Sequence, residues 1–272
     1  RIKEVLNTET SIKDEADDTY DNYDFKGSVA FEDVCFKFNK ADHNILENIN
    51  FTANPGETVA IIGSTGSGKS TIVNLIPRLF DISCGSLTID GVPIKDISLQ
   101  KLRSLIGFVS QKALLFSGTI RDNIAFGKED ATDEEISEAA EIAQAKEFID
   151  SLENKYDAVV EQGGVNFSGG QKQRISIARS IVRKPKIYIF DDSFSALDFK
   201  TDANLRMALK KNVKDATVFI VAQRIGTIMD ADKIIVLQEG RIVGYGKHKE
   251  LLKDCDVYRE IAMSQMAEEE LA

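Results

Sequence analysis

The residues best suited to chemistry form one run, Gly63-Ser64-Thr65-Gly66-Ser67-Gly68-Lys69-Ser70. It follows the apolar segment TVAII (58–62) and leads through Thr71 into a helical pattern. The run fits the spacing GxxxxGK[ST] in the context that spacing requires, a strand before and a helix after. Glycines so placed let successive backbone N–H groups turn inward around phosphate oxygens. The helix N-terminus adds partial positive charge. Lys69 is expected to reach the β- and γ-phosphates and the Ser70 hydroxyl to ligate a metal ion, so the run predicts a site for ATP and Mg²⁺. The alternative, a glycine-rich turn with no ligand, does not require the full eight-residue match.

A pair of acids supports this reading. The apolar run IYIF (187–190) ends in Asp191-Asp192, two carboxylates at the mouth of a buried strand. Asp191 is placed to hold Mg²⁺ through water, opposite Ser70. Alone, Asp-Asp is a common strand-ending turn; beside the phosphate loop the metal reading takes precedence.

These groups need a scaffold, and the hydrophobic pattern describes one. VAFEDVCFKF (29–38) and NINFTA (48–53) alternate, as in a part-exposed antiparallel sheet. Continuous apolar runs recur at 58–62, IGFVS (106–110), 187–190, TVFIV (217–221) and KIIVL (233–237). Such runs suit strands buried on both faces and alternating with helices. Residues 119–152 differ: DEEISEAAEIAQA and KEFIDSL read as amphipathic helices, an insertion in the α/β core. The fold class expected is α/β, a P-loop NTPase with a mostly parallel core sheet, an antiparallel β-subdomain near the N-terminus and a helical subdomain.

Composition narrows the function. The chain has 272 residues and a formal net charge of −10, which argues against a nucleic-acid partner, since a polyphosphate track needs a basic face. Cys35, Cys84 and Cys255 are odd in number and far apart, so they are expected to be inert thiols rather than a disulfide framework or metal site. The two histidines, His43 and His248, exclude a histidine-rich metal centre. No apolar run reaches the roughly 18–20 residues that span a bilayer. The charged opening without methionine suggests a piece of a longer protein. Ile2, Val5 and Leu6 have helical spacing, as in the tail of a preceding helix. The acidic run at 14–24 reads as a solvated linker.

Between the phosphate loop and Asp191 lies Phe167-Ser168-Gly169-Gly170-Gln171. With those two motifs it closely resembles the ABC ATPase signature, usually LSGGQ. The resemblance covers nearly all of residues 28–265 and implies an ABC-type fold with the helical subdomain at about 112–182. It makes 1–27 a linker from a missing transmembrane domain and 266–272 a tail. It further implies that Phe38 stacks on adenine and that Gln111 is the Q-loop glutamine, sensing Mg²⁺ and the transmembrane partner. Ser195-Ala196-Leu197-Asp198 matches the D-loop. RIKEVLNTETSI (1–12) and SGTIRDNIAFG (117–127) look like the exporter branch, at the cytoplasmic face of the cell membrane. There a membrane-spanning half precedes the ATPase, and two ATPase domains dimerise head to tail. In that arrangement Ser168 and the amides of Gly169 and Gly170 would cap the partner's nucleotide.

Two departures fall on catalytic positions. The family usually has glutamate where this chain has Asp192, one carbon–carbon bond shorter, or about 1.5 Å. It usually has a switch histidine where this chain has Gln223, which cannot become cationic or relay a proton. A lesser one is EQGG (161–164), where many exporters read GERG. Together they suggest a site that holds ATP well and cleaves it slowly, as in one half of a heterodimeric exporter whose partner is a second half-transporter. The alternatives are a homodimer in which Asp192 is a slower base, a regulatory module without turnover, and a soluble ABC protein acting on DNA or ribosomes. The last should carry a long coiled coil or tandem domains, and neither is seen.

Overall fold

The computed structural model describes residue 10, residues 12–39 and residues 41–265. Most of the helix tail expected at 1–12, and the tail at 266–272, lie outside them.

An antiparallel sheet is formed by β1 (Val29–Phe36), β2 (Leu46–Ala53), β4 (Cys84–Ile89) and β5 (Val92–Pro93), in the order β2-β1-β4-β5. The core sheet takes β3 (Thr58–Gly63), β6 (Ile106–Val109), β9 (Ile187–Asp191), β10 (Thr217–Val221), β11 (Lys233–Gln238) and β12 (Arg241–Gly246). Its order is β12-β11-β3-β10-β9-β6. All neighbouring pairs in it are parallel except β11 with β12.

The continuous apolar runs are explained by how these strands divide their side chains. Ala60, Ile62, Tyr188, Phe190, Val218, Ile220, Ile234 and Val236 enter one core cluster. Val59, Ile61, Ile187, Ile189, Phe219, Val221, Ile235 and Leu237 enter the other. The period of two puts alternate residues on opposite faces, and both faces are covered. One face meets the antiparallel sheet, α1 (Lys69–Leu75) and α2 (Leu99–Ser104), through Phe31, Leu46, Phe51, Ile72, Leu75 and Leu102. The other meets the remaining helices.

Among those helices, α3 (Ile120–Ala125), α4 (Asp133–Ile142), α5 (Lys146–Asp150) and α6 (Gly169–Ile181) occupy the inserted stretch. Thr119 with Asp122 and Thr132 with Glu135 form reciprocal capping boxes at the starts of α3 and α4. The insertion is not wholly helical: β7 (Gly118–Thr119) pairs with β8 (Val159–Val160). The chain then runs through α7 (Phe199–Asn212), the single turn α8 (Ile225–Ile228), α9 (His248–Asp254) and α10 (Asp256–Met263). No helix among the described residues is long and apolar enough to cross a membrane.

Two expectations are corrected. Cys35 and Cys84 are joined as a disulfide, not left as separate thiols; only Cys255 is free, and it is buried. Distance in sequence misled here, because β1 and β4 are neighbours and their register sets Cys35 opposite Cys84. A cross-link spanning 49 residues can restrict the unfolded chain by up to about 4 kcal/mol. Titrating the denatured chain should count one thiol before reduction and three after; three before reduction would contradict the pairing.

The acidic run is not simply solvated. An Asp14 carboxylate oxygen accepts the Leu99 N–H at 3.0 Å, at the start of α2, whose own first turn holds no acid. Asp21 accepts from the Ser98 hydroxyl at 3.0 Å and, through its carbonyl, from Lys101 Nζ at 2.6 Å. Phe25 is buried at the end of this segment. The Asp90 carboxylate then collects the N–H groups of Lys26, Gly27 and Ser28, fixing the entry into β1.

Candidate nucleotide site

The glycine-rich loop begins where β3 ends. Gly63 lies opposite Leu237 of β11, and a Cβ on it would stand 2.0 Å from the Leu237 carbonyl oxygen. Only glycine lets β11 pass so close. The loop turns through the Ser67 N–H, which donates to the Ser64 carbonyl at 3.2 Å. Gly66 has φ +82 with open space around its Cβ position, and Gly68 caps α1. Ser67 Oγ is buried without a hydrogen-bond partner. A concave loop of turned glycines with an unpartnered buried hydroxyl, at a helix start, fits a phosphate group. Thr71 follows on α1, half-buried.

The charged groups converge here. Lys69 Nζ donates to the carbonyls of Gly63 and Ser64 at 2.9 and 2.7 Å, so the ammonium lies against its own loop. Burial pulls its pKa down, while the carboxylates of Asp192 and Asp191 push it back up. The Ser70 hydroxyl donates to Asp191 Oδ1 at 2.8 Å, joining the two expected metal-holding residues. Burial pushes the Asp191 carboxyl above its ordinary range. The Ser70 hydrogen bond opposes that, the neighbouring Asp192 charge adds to it, and Lys69 opposes it. A hydroxyl beside a carboxylate, both oxygen donors, fits Mg²⁺.

The next residue organises a second group. Asp192 is only 7% exposed and sits at φ 47, a left-handed conformation that aspartate tolerates better than most residues. Its N–H donates to the Val221 carbonyl at 2.9 Å. Asp192 Oδ2 accepts two amide hydrogen bonds, from Gln111 Nε2 and Gln223 Nε2, each 2.8 Å long. Three expected site residues, one after each of the adjacent strands β6, β9 and β10, thus share one oxygen.

The other expected residues occupy separate places. Phe38 is 43% exposed and packs edge-on against Phe36 and Phe80. Its hairpin reaches the phosphate loop: Leu46 Cδ2 is 2.8 Å from the Gly68 Cβ position. Phe167 is buried. Ser168 caps α6, its hydroxyl accepting the Gln171 N–H at 3.3 Å while Gln171 Oε1 accepts the Ser168 N–H at 2.9 Å. The sequence SGGQ is therefore a capping box. Gly170 lies against the D-loop, 3.1 Å from its Cβ position to the Ala196 carbonyl. In that loop Ser195 Oγ donates to the Asp192 carbonyl at 2.7 Å, Leu197 is buried, and Asp198 caps α7. Among the described residues no hydrogen bond joins Ser168, Gly169, Gly170 or Gln171 to the phosphate loop.

One contributor carried no sequence expectation. Gln173 is buried on α6 and donates to the Ser110 carbonyl at 3.1 Å, tying the residue before Gln111 to the signature helix. The signal available was a polar residue on the buried face of that helix.

A strand, a glycine-rich loop and a helix on a mostly parallel sheet, with Ser70 bonded to Asp191, define a P-loop nucleotide-binding domain. A family model described as ABC transporter matches residues 46–195, and the chain belongs to the ABC transporter family. An ABC transporter ATP-binding protein of Bacillus subtilis is 47% identical over 269 residues, covering 99% of this chain and 46% of its own length. An ATP-dependent lipid A-core flippase of Desulfotalea psychrophila is 42% identical over 253 residues, covering 93% of this chain and 44% of its own. Among solved structures, a bacterial Atm1-family ABC exporter with ATP bound aligns with a TM-score of 0.86 and 38% identity, over 89% of this chain and 42% of that one. The chain is thus an ABC ATP-binding domain of the exporter type, and it spans about half the length of the curated relatives it matches.

Proposed function

We propose that this chain binds Mg-ATP at the loop 63–71, with Phe38 against the adenine, and holds the nucleotide longer than it cleaves it. Lys69 binds the phosphates, while Ser70, Asp191 and Gln111 hold Mg²⁺. Bound Mg-ATP supplies the γ-phosphoryl group and the positive charge that offsets its negative oxygens. The chain pairs head to tail with a second half-transporter, and its Phe167-Ser168-Gly169-Gly170-Gln171 helix start closes the partner's nucleotide site. The D-loop, Ser195 to Asp198, lies along that junction.

The observation carrying this reading is the doubly accepting Asp192 Oδ2. An oxygen has two lone pairs, and both of those on Oδ2 accept from amide donors. The carboxylate is also about 1.5 Å shorter than glutamate, and Gln223 has no second protonation state near neutral pH. Asp192 is thus poorly placed to polarise an attacking water.

A transmembrane domain of the same full-length chain fits the exposed patch of Leu114, Phe116, Phe126 and Val159. Arg179 lies 5.1 Å from the Phe116 ring centre and 5.8 Å from that of Phe126. The Phe116 N–H donates to Asn123 Oδ1, so a partner pressing here acts on the segment leading from Gln111. On this reading the domain works at the cytoplasmic side of a membrane and powers export by hydrolysis shared unequally between two sites.

Single-turnover hydrolysis in the assembled exporter, with the partner's site disabled, tests the reading. ATP should be bound and remain largely uncleaved over the time in which an intact exporter completes many cycles. Cleavage at the intact rate would overturn it.

A further inference from the structure

The switch residue Gln223 is held by more than its strand. Upstream, the Ala222 N–H donates to the Ile61 carbonyl at 3.2 Å. Downstream comes α8, a single turn whose first residue has no side-chain cap: Arg224 is extended and offers none. One turn is marginal by itself, so its place depends on what it docks against. The side chain of Gln265 supplies that contact, because its Oε1 accepts the Ile225 N–H at 2.9 Å and its Nε2 donates to the Gln223 carbonyl at 2.8 Å. One planar amide thus pairs with the backbone on both sides of Arg224, as a neighbouring strand would.

The anchor behind Gln265 is firm. It follows α10, whose Tyr258 and Ala262 are fully buried, and the Tyr258 hydroxyl meets His248 Nδ1 on α9 at 2.7 Å. The Gln265 N–H donates to the Ala262 carbonyl at 3.0 Å. A continuous chain of contacts therefore runs from α10 through Gln265 to Gln223, and through its side chain to Asp192 and Gln111.

We infer that Gln265 is a positioning residue for the nucleotide site: its side-chain amide fixes the backbone at 223–225 so that the Gln223 side chain stays on Asp192. The inference rests on the reading that Gln223 and Asp192 act on bound ATP. Chemistry restricts what can replace it. Glutamate keeps an acceptor for Ile225 but sets a second acceptor against the Gln223 carbonyl, and alanine removes both bonds.

The experiment uses the full-length exporter in its assembled form with the partner's site disabled, and compares Gln265→Ala, Gln265→Glu and Gln223→Ala. Two quantities are read: amide hydrogen exchange at Ile225 and single-turnover hydrolysis with its ATP dependence. Gln265→Ala should speed Ile225 exchange about tenfold or more and shift the cleavage rate at least threefold in the same direction as Gln223→Ala, with ATP affinity within twofold of the parent. Gln265→Glu should restore protection at Ile225 without restoring the rate. A contact that merely anchors α10 would leave the cleavage rate unmoved. The inference is overturned if Gln223→Ala changes the cleavage rate and Gln265→Ala does not, or if Ile225 exchange is unchanged in Gln265→Ala. If Gln223→Ala itself leaves cleavage unchanged, the reading of the site fails, and the inference with it, whatever Ile225 exchange shows.

Discussion

Exchanging Asp192 for glutamate and Gln223 for histidine in the same chain raises single-turnover ATP hydrolysis at its own site by about a hundredfold or more. The Asp192 carboxylate is fastened at one oxygen by Gln111 and Gln223. Lengthening it by one methylene moves the oxygens about 1.5 Å outward, and a displacement of about 1 Å is worth roughly a hundredfold in a positioned reaction. Histidine at 223 keeps a ring N–H for the carboxylate and adds a group that titrates near neutral pH. The single changes should fall short of the double, since the residues share one hydrogen-bonded oxygen and such neighbours are not additive. Asp192→Glu alone also places a longer side chain at φ 47, where aspartate is better tolerated. A double variant that binds ATP as the parent does and cleaves it no faster would sink the account of the slow site.

The sequence announced the parts of this site more clearly than their connections. The runs at 58–62, 187–190, 217–221 and 233–237 were legible as core strands because both faces are covered, which leaves no polar alternation to blur them. The loop 63–70 was legible because its chemistry is local: turned amides, Lys69 and Ser70 lie within one stretch. The double acceptance at Asp192 Oδ2 was not, since it depends on the lengths of side chains leaving three adjacent strands. Cys35 and Cys84 were misread for the same reason, as strand pairing brings them together across 49 residues. The acidic run at 14–24 looked solvated by composition, yet Asp14 and Asp21 find the start of α2. Ser168 and Gln171 could have been recognised as a capping box from their spacing.

Introducing aspartate at Gly169 should leave this chain folded and able to bind ATP, while cutting hydrolysis at the partner's site by at least a hundredfold. No atom lies within 4 Å of the Gly169 Cβ position, so nothing inside the chain demands glycine there. Gly169 is the first residue of α6, where a carboxylate favours the helix by about 0.3–1 kcal/mol, and removing a helical glycine gains up to about 1 kcal/mol more. The melting temperature should therefore hold or rise. In the proposed head-to-tail pairing the same helix start would face the partner's γ-phosphate. Two like charges about 4 Å apart repel by about 4 kcal/mol at an effective dielectric constant near 20, roughly a thousandfold in equilibrium. Gly169→Ala separates bulk from charge and should cost less. Gly170 would be a poorer probe, because its Cβ position already meets the Ala196 carbonyl at 3.1 Å, and a side chain there disturbs the D-loop directly. Turnover by the assembled exporter, melting temperature and ATP affinity at this chain's own site are the three measurements. If turnover stays within threefold of the parent while the melting temperature holds, this helix start does not face a nucleotide. The open space at Gly169 would then have no explanation in catalysis.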